Sequence, residues 1–287
     1  FLMVPQCVLL GMTFPILSAG YLRLAPNSAG EVLGGLYFSN SLGAALGALA
    51  TAFLLLPALG MPGTMMTAGL LNVLVGLGAW AVWKSVDADP VVQASTDSGP
   101  VAGVGEDAKG VDIGRLARVV LVASFITGAT SFIYEIGWVR LLNQALGTTI
   151  HSFELMLAAF ILGLAFGGLW VRRNAARIVD AIRYAAYAQV FMGLAAFVSV
   201  VVLGRSFHWV GWMMQSLSRT DNGYTLFSAG SAVISLLVMF PAAFFAGMTL
   251  PLMTYALLRQ GVGERSIGLV YATNTIGAIA GVLLMVH

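Results

Sequence analysis

The sequence predicts an all-α, polytopic helical membrane protein of about eight transmembrane helices, drawn from two parallel six-helix repeats that are both truncated. Three observations carry this prediction. The composition is 59% hydrophobic and 9% charged, with a mean hydropathy of +0.91, whereas soluble domains carry about 25% charged residues. Apolar runs long enough to cross a hydrocarbon core of roughly 30 Å, which takes about 20 helical residues, can be drawn at 1–22, 32–57, 62–83, 116–142, 150–171, 181–204, 226–258 and 266–287. Finally, two blocks recur. Pro5, Gly11-Met12-Thr13-Phe14-Pro15, Tyr37, Asn40, Gly43 and Gly47 return as Pro241, Gly247-Met248-Thr249-Leu250-Pro251, Tyr271, Asn274, Gly277 and Gly281, and such a repeat defines the unit that folds.

The runs are continuous and lack the ten-residue alternation of outer-membrane strands, so they are helices. Residues 1–83 read as the last three helices of the first repeat. Residues 84–115, with Asp87, Asp89, Asp97, Glu106, Asp107 and Asp112 among Ser, Gly and Pro, read as a flexible acidic linker. Residues 116–287 then supply the first five helices of the second repeat. Because the first two spans match the last two, a full repeat holds six helices, and an even number makes the copies parallel, with their axis along the membrane normal. Phe1 is not an initiator methionine and His287 falls inside an apolar run, so both ends read as cut. Residues 205–225, with Trp209, Trp212, Met213 and Met214, read as an aromatic belt or a stretch lying along the interface.

The 14 Lys and Arg fall mostly on one side. All but Arg140, Arg205 and Arg219 lie in segments that stay cytoplasmic under the positive-inside rule, which places the 84–115 linker in the cytoplasm of a bacterial inner membrane. The net charge of +2 is explained by this topology and gives no reason to invoke nucleic acid. The lone Cys7 excludes a disulfide framework within the chain. His151, His208 and His287 form no spaced metal set, and a histidine at a helix start reads as interfacial. No cofactor is implied in this chain, and the partner implied directly is the lipid bilayer.

Within the repeated blocks, steps of three and four put Tyr37, Asn40, Gly43 and Gly47, and likewise Tyr271, Asn274, Gly277 and Gly281, along one helix face. The glycines read as sites of close helix approach, as do Gly163 and Gly167 in the fifth run. Asn40 and Asn274 read either as interhelical hydrogen-bonding groups or as substrate contacts. Thr13 and Thr249 stand two residues before Pro15 and Pro251, where their hydroxyls can satisfy backbone groups freed by the prolines; a broken helix lining a cavity is the alternative. The acids inside spans are Glu135 and Glu154. Intramembrane carboxylates are costly and default to functional candidates. The short turn between their helices makes these antiparallel neighbours, with Arg140 in reach of either acid. The pair reads as a buried ion pair, with Glu154 favoured by a helix N-terminus, or as a proton- or cation-binding site.

These motifs resemble the membrane region of bacterial fused transporter-like (major-facilitator-like)/spermidine synthase-like proteins. The resemblance rests on Gly128 to Leu142 with Tyr134-Glu135, Trp138 and Arg140, on the Gly163/Gly167 helix, on Gly247 to Pro251, and on Gly268 to Gly281. It implies a covalently linked cytoplasmic domain similar to aminopropyltransferases. The Tyr-Glu-x-x-Trp segment has no first-repeat counterpart in this chain, and the catalytic domain is not within it. The expected function is therefore to anchor such an enzyme and to handle its polyamine or a related cation. The alternatives are an independent secondary transporter with a carboxylate-coupled site, or a scaffold that moves nothing.

Overall fold

A computed structural model describes residues 4–25, 28–86, 113–147, 150–218 and 220–286. These residues are helical nearly throughout and contain no strand. The helices are α1 (Val4–Leu24), α2 (Ala29–Ala50), α3 (Leu56–Val86), α4 (Ile113–Leu146), α5 (Ile150–Asn174), α6 (Ala181–Ser216), α7 (Asp221–Arg259) and α8 (Arg265–Val286). Seven of the continuous helical runs are long and apolar enough to cross a membrane. One of them, Ala29–Ser85, spans 57 residues and contains two of the expected spans. Gly60 interrupts it with φ 64° and ψ −179°, a conformation essentially reserved for glycine. Pro62 follows in the first turn of the next segment, where its missing N–H costs nothing, and the Thr64 hydroxyl donates to the Gly60 carbonyl at 2.8 Å. The acidic linker expected at 84–115 falls mostly on 87–112, outside the described residues.

Helices α4 to α8 form the body, and α2 lies against it. Within the body α5 packs along α7, α6 along α7, and α4 along α8, while α2 packs along α5. Glycines set the closest of these approaches. A side chain at Gly277 would overlap the Phe125 carbonyl, one at Gly281 the Ala129 carbonyl, and one at Gly128 the Asn274 carbonyl. Gly167 and Gly247 make the same kind of contact between α5 and α7, against the Phe244 and Leu164 carbonyls, and Gly163 adjoins Ala243. On α2, an added Cβ at Gly34 would stand 2.6 Å from the Arg172 backbone nitrogen and 2.8 Å from the Gly168 carbonyl. Lipid tails are as apolar as side chains, so helices associate through such close packing rather than by escaping water.

Gly43 and Gly47 differ from their counterparts. No atom lies within 4 Å of a Cβ built at either one, because among the described residues no helix lies on that face of α2 as α4 lies on α8. Among the described residues, then, only the second copy of the pattern is in helix contact. The body of α3 likewise packs along no other helix. Of the two readings of 205–225, a separate stretch lying along the interface does not fit residues 205–216. Trp209, Trp212, Met213 and Met214 belong to the last turns of α6, which continues unbroken to Ser216. Met213 turns inward against Gly230 while Trp212 stays 69% exposed.

Equivalent residues of the two copies meet. Leu22 and Leu258, and Leu33 and Ile267, share one apolar cluster. Phe14 stacks on Tyr271 with centroids 4.6 Å apart and meets Tyr37 edge-on at 6.0 Å. Beside them Arg23, at the end of α1, donates to both carboxylate oxygens of Glu264, with Nη2 at 2.8 Å. This pair is largely exposed on the Arg23 side and so adds little stability by itself. Together these contacts close the arginine-rich end of the bundle between the copies.

The contrast between the two glycine patterns is measurable. Gly277→Ala forces a methyl group into a backbone carbonyl and is expected to cost on the order of 1–3 kcal/mol. Gly43→Ala adds a better helix former in open space and is expected to leave stability within about 1 kcal/mol. Unfolding midpoints of the two variants in one detergent check this; equal losses would show that the α4–α8 contact is not limiting.

Candidate functional site

The opposite end of the bundle is not closed. A half-open cleft of about 280 Å³ lies there between the copies, lined by Phe53 and Pro57 from the α2–α3 run and by His151, Tyr224, Thr225 and Ser228 from α5 and α7. A smaller recess continues inward past Ser152, Leu155, Phe227 and Ser231. Phe53 lies in a π-helical turn over Thr51–Leu55, a local insertion that often accompanies functional sites. His151 occupies the first turn of α5. Tyr224 lies in the first turn of α7, which Thr220 caps by accepting from the Gly223 N–H at 3.3 Å.

His151 is the centre of the cleft. Its ring stacks on Phe53 with centroids 5.0 Å apart and an interplanar angle of 18°, and Tyr224 approaches edge-on at 6.3 Å. Glu154, one turn further along α5, lines neither the cleft nor its recess but brings Oε2 to 4.0 Å from His151 Nδ1, behind the wall that His151 forms. That distance is too long for a hydrogen bond. Both atoms are buried and neither has a hydrogen-bond partner among the described residues. The side chains are 34% and 14% exposed respectively, so the exposure of His151 belongs to the rest of its ring, where Nε2 lies. Buried polar atoms are nearly always satisfied, and two unsatisfied ones side by side mark a place where chemistry is incomplete.

The other residues singled out by the sequence are distributed as follows. Glu135 is half-buried on α4, lines neither the cleft nor its recess, and has no ion-pair partner among the described residues. Arg140 donates to the Met285 carbonyl at 3.2 Å and pairs with neither acid. The expected three-residue polar cluster is thus not assembled, because α4 turns its close-packed face to α8 and touches α5 only lightly. Trp138 is buried, donates to Ser199 Oγ at 2.9 Å and stacks on Tyr134 at 5.5 Å, which makes this pair a packing element between α4 and α6.

Thr249 is fully buried, and its hydroxyl donates to the Phe245 carbonyl at 3.0 Å. Thr13 is exposed and donates to the Leu10 carbonyl. Neither reaches the carbonyl that its proline deprives of an N–H, which lies four residues before the proline at Gly11 or Gly247, so the expected compensation is not made. Asn40 is exposed and Asn274 half-buried, and neither makes a side-chain hydrogen bond within the described residues. Gln189 was not singled out from the sequence. Its amide donates to Thr127 at 2.9 Å and Thr249 at 3.3 Å, tying α4, α6 and α7 together. A lone amide in the apolar run 181–204 was the signal for it. Phe53 and Tyr224 carried no such signal, being ordinary aromatics at the ends of spans. Among the described residues no group of three metal-ligating side chains occurs.

Comparison with protein-family models, curated proteins and solved structures returned no match to this chain.

Phe53 covers one face of the His151 ring, which gives a direct test of the cleft. Phe53→Ala is expected to raise the rate of His151 acylation by diethylpyrocarbonate severalfold, read by peptide mass spectrometry, with His208 as the internal reference. An unchanged rate would mean that the stack does not shield the imidazole.

Proposed function

We propose that this chain is a carrier-like membrane domain that handles a cation through the cleft between its two copies. The setting is the one its motifs resemble: a membrane region that anchors a cytoplasmic spermidine synthase-like domain and moves its polyamine or a related cation. The observation that carries the reading is an asymmetry. An apolar cluster that holds the equivalent residues Leu22 and Leu258, and Leu33 and Ile267, closes one end, while the cleft stays open between the copies at the other. A carrier built from repeats needs this arrangement in each of its end states, closed on one side of a central axis and open on the other.

The charge behind the cleft wall, on Glu154 beside His151, supports a cationic cargo. Within the described residues Glu154 has His151 beside it and no lysine or arginine within 4 Å. Placing the arginine-rich end in the cytoplasm follows the positive-inside rule, so the cleft faces outward. Ser18 and Thr254, which occupy equivalent positions, are fully buried with hydroxyls that have no partner among the described residues. Each lies one turn from Leu22 or Leu258, so opening of the apolar seal would hydrate these hydroxyls.

The test is flux of labelled spermidine in proteoliposomes. Wild-type protein is expected to move it. Glu154→Gln is expected to reduce flux by about tenfold or more, since a full charge is removed from a poorly solvated site, while elution and helicity remain those of wild type. Glu135→Gln, on α4 and not paired with His151, is expected to retain flux. Equal flux in wild type and Glu154→Gln would remove this carboxylate from the mechanism, and absence of flux in wild type would leave the non-transporting scaffold.

A further inference from the structure

Resting on the carrier reading for the cleft's access to cargo, we infer that the cleft itself binds a protonated amine that retains at least one N–H, held against His151, Phe53 and Tyr224. The geometry divides recognition into three parts. Glu154 supplies a negative charge that no lysine or arginine within 4 Å offsets among the described residues. Lying 4.0 Å from Nδ1 of His151, its negative charge favours the tautomer whose N–H dipole points toward it, with the proton on that nitrogen. Nε2, on the less buried part of the ring, is then left as an acceptor toward the cleft. An ammonium N–H donates there.

The aromatic rings supply the second part. A cation within about 6 Å of a ring centroid is attracted by the π-system, most strongly when partly desolvated. His151 sits 5.0 Å from Phe53 and 6.3 Å from Tyr224 between ring centroids, so a charge bonded to His151 in the cleft lies in an aromatic surrounding. The third part is size. About 280 Å³ is nearly twice the roughly 150 Å³ that suffices for a benzene-sized guest, so an alkyl chain of several carbons fits beside Pro57. A divalent metal fits less well, because one imidazole and one carboxylate fall short of the three or four protein ligands such ions take. An anion would be repelled by the Glu154 charge behind His151.

A protonated amine at this end of the bundle comes from one of two sources, a free alkylamine or the ethanolamine headgroup of a lipid. Both present the same N–H donors. Full-length chain in phosphatidylcholine nanodiscs is titrated calorimetrically with n-butylammonium, tetramethylammonium and sodium chloride. Saturable binding of n-butylammonium is expected, with tetramethylammonium and sodium at least about tenfold weaker. Glu154→Gln, His151→Phe and Phe53→Ala are each expected to weaken it by about tenfold or more, and Trp212→Ala, on the exposed side of α6, to leave it unchanged. Unliganded melting temperatures identify any variant that misfolds, in which case the selectivity series on wild type decides alone.

Repeating the titration in phosphatidylethanolamine discs separates the sources. Weaker apparent binding there assigns the headgroup as an occupant, and equal binding assigns the free amine; both uphold the site. No saturable n-butylammonium binding, equal binding of tetramethylammonium, or full binding by Glu154→Gln overturns it. Amine binding without spermidine flux would refute the carrier and spare the site. Flux without n-butylammonium binding would do the reverse.

Discussion

Backbone-to-backbone approach at glycine is the constraint on which the rest of this structure depends. Gly277 and Gly281 admit the carbonyls of Phe125 and Ala129, Gly167 and Gly247 bring α5 and α7 together, and Gly34 sets α2 on the Arg172 backbone. In hydrocarbon, burying apolar side chains against each other gains little over leaving them in lipid. What holds the helices in register is the dispersion contact available only where side chains are missing. Every functional element is placed through these seams: α5 and α7 carry His151 and Tyr224 to one end, and the α2–α5 seam brings Phe53 of the first copy to meet them.

The internal duplication gives the bundle its polarity. Equivalent residues share one cluster, Leu22 with Leu258 and Leu33 with Ile267, and Tyr37 and Tyr271 both meet Phe14. Strict symmetry would close or open both copies alike along the axis. Departures from symmetry decide the outcome. Arg23 of the first copy pairs with Glu264 of the second, whereas its counterpart Arg259 donates to the carbonyls of Ile178 and Val179. At the far end Phe53, in the π turn Thr51–Leu55, shapes the cleft from the side of the first copy.

Polar groups fall into two kinds. The Gln189, Thr127 and Thr249 set and the Trp138 to Ser199 bond are satisfied within the bundle and tie helices together. The His151 and Glu154 pair is unsatisfied within the described residues and borders open space. A satisfied network in low dielectric rigidifies, and an unsatisfied one costs free energy unless something completes it. That difference is why Glu154, rather than Glu135 or Thr249, centres the functional reading.

The helical class, the spans and the duplication were legible in the sequence because each is a one-dimensional property: hydropathy over about 20 residues, and residue identity at a fixed offset. Glu154 was legible for a similar reason, since a carboxylate in an apolar run is conspicuous wherever it points. Its partner was not. Arg140 stood nearer in the argument from depth, yet α4 turns toward α8 and directs Arg140 to Met285. Phe53 comes from a residue more than ninety positions from His151, through a π turn without a compositional signature. The two Tyr-x-x-Asn-x-x-Gly-x-x-x-Gly copies make the same point. Their letters are the same, but Gly277 and Gly281 are filled by α4 while Gly43 and Gly47 face open space. A sequence alone determines which helix faces permit close approach; only the tertiary structure decides which of them another helix occupies, because contact depends on where a second segment is and not on the residues that await it.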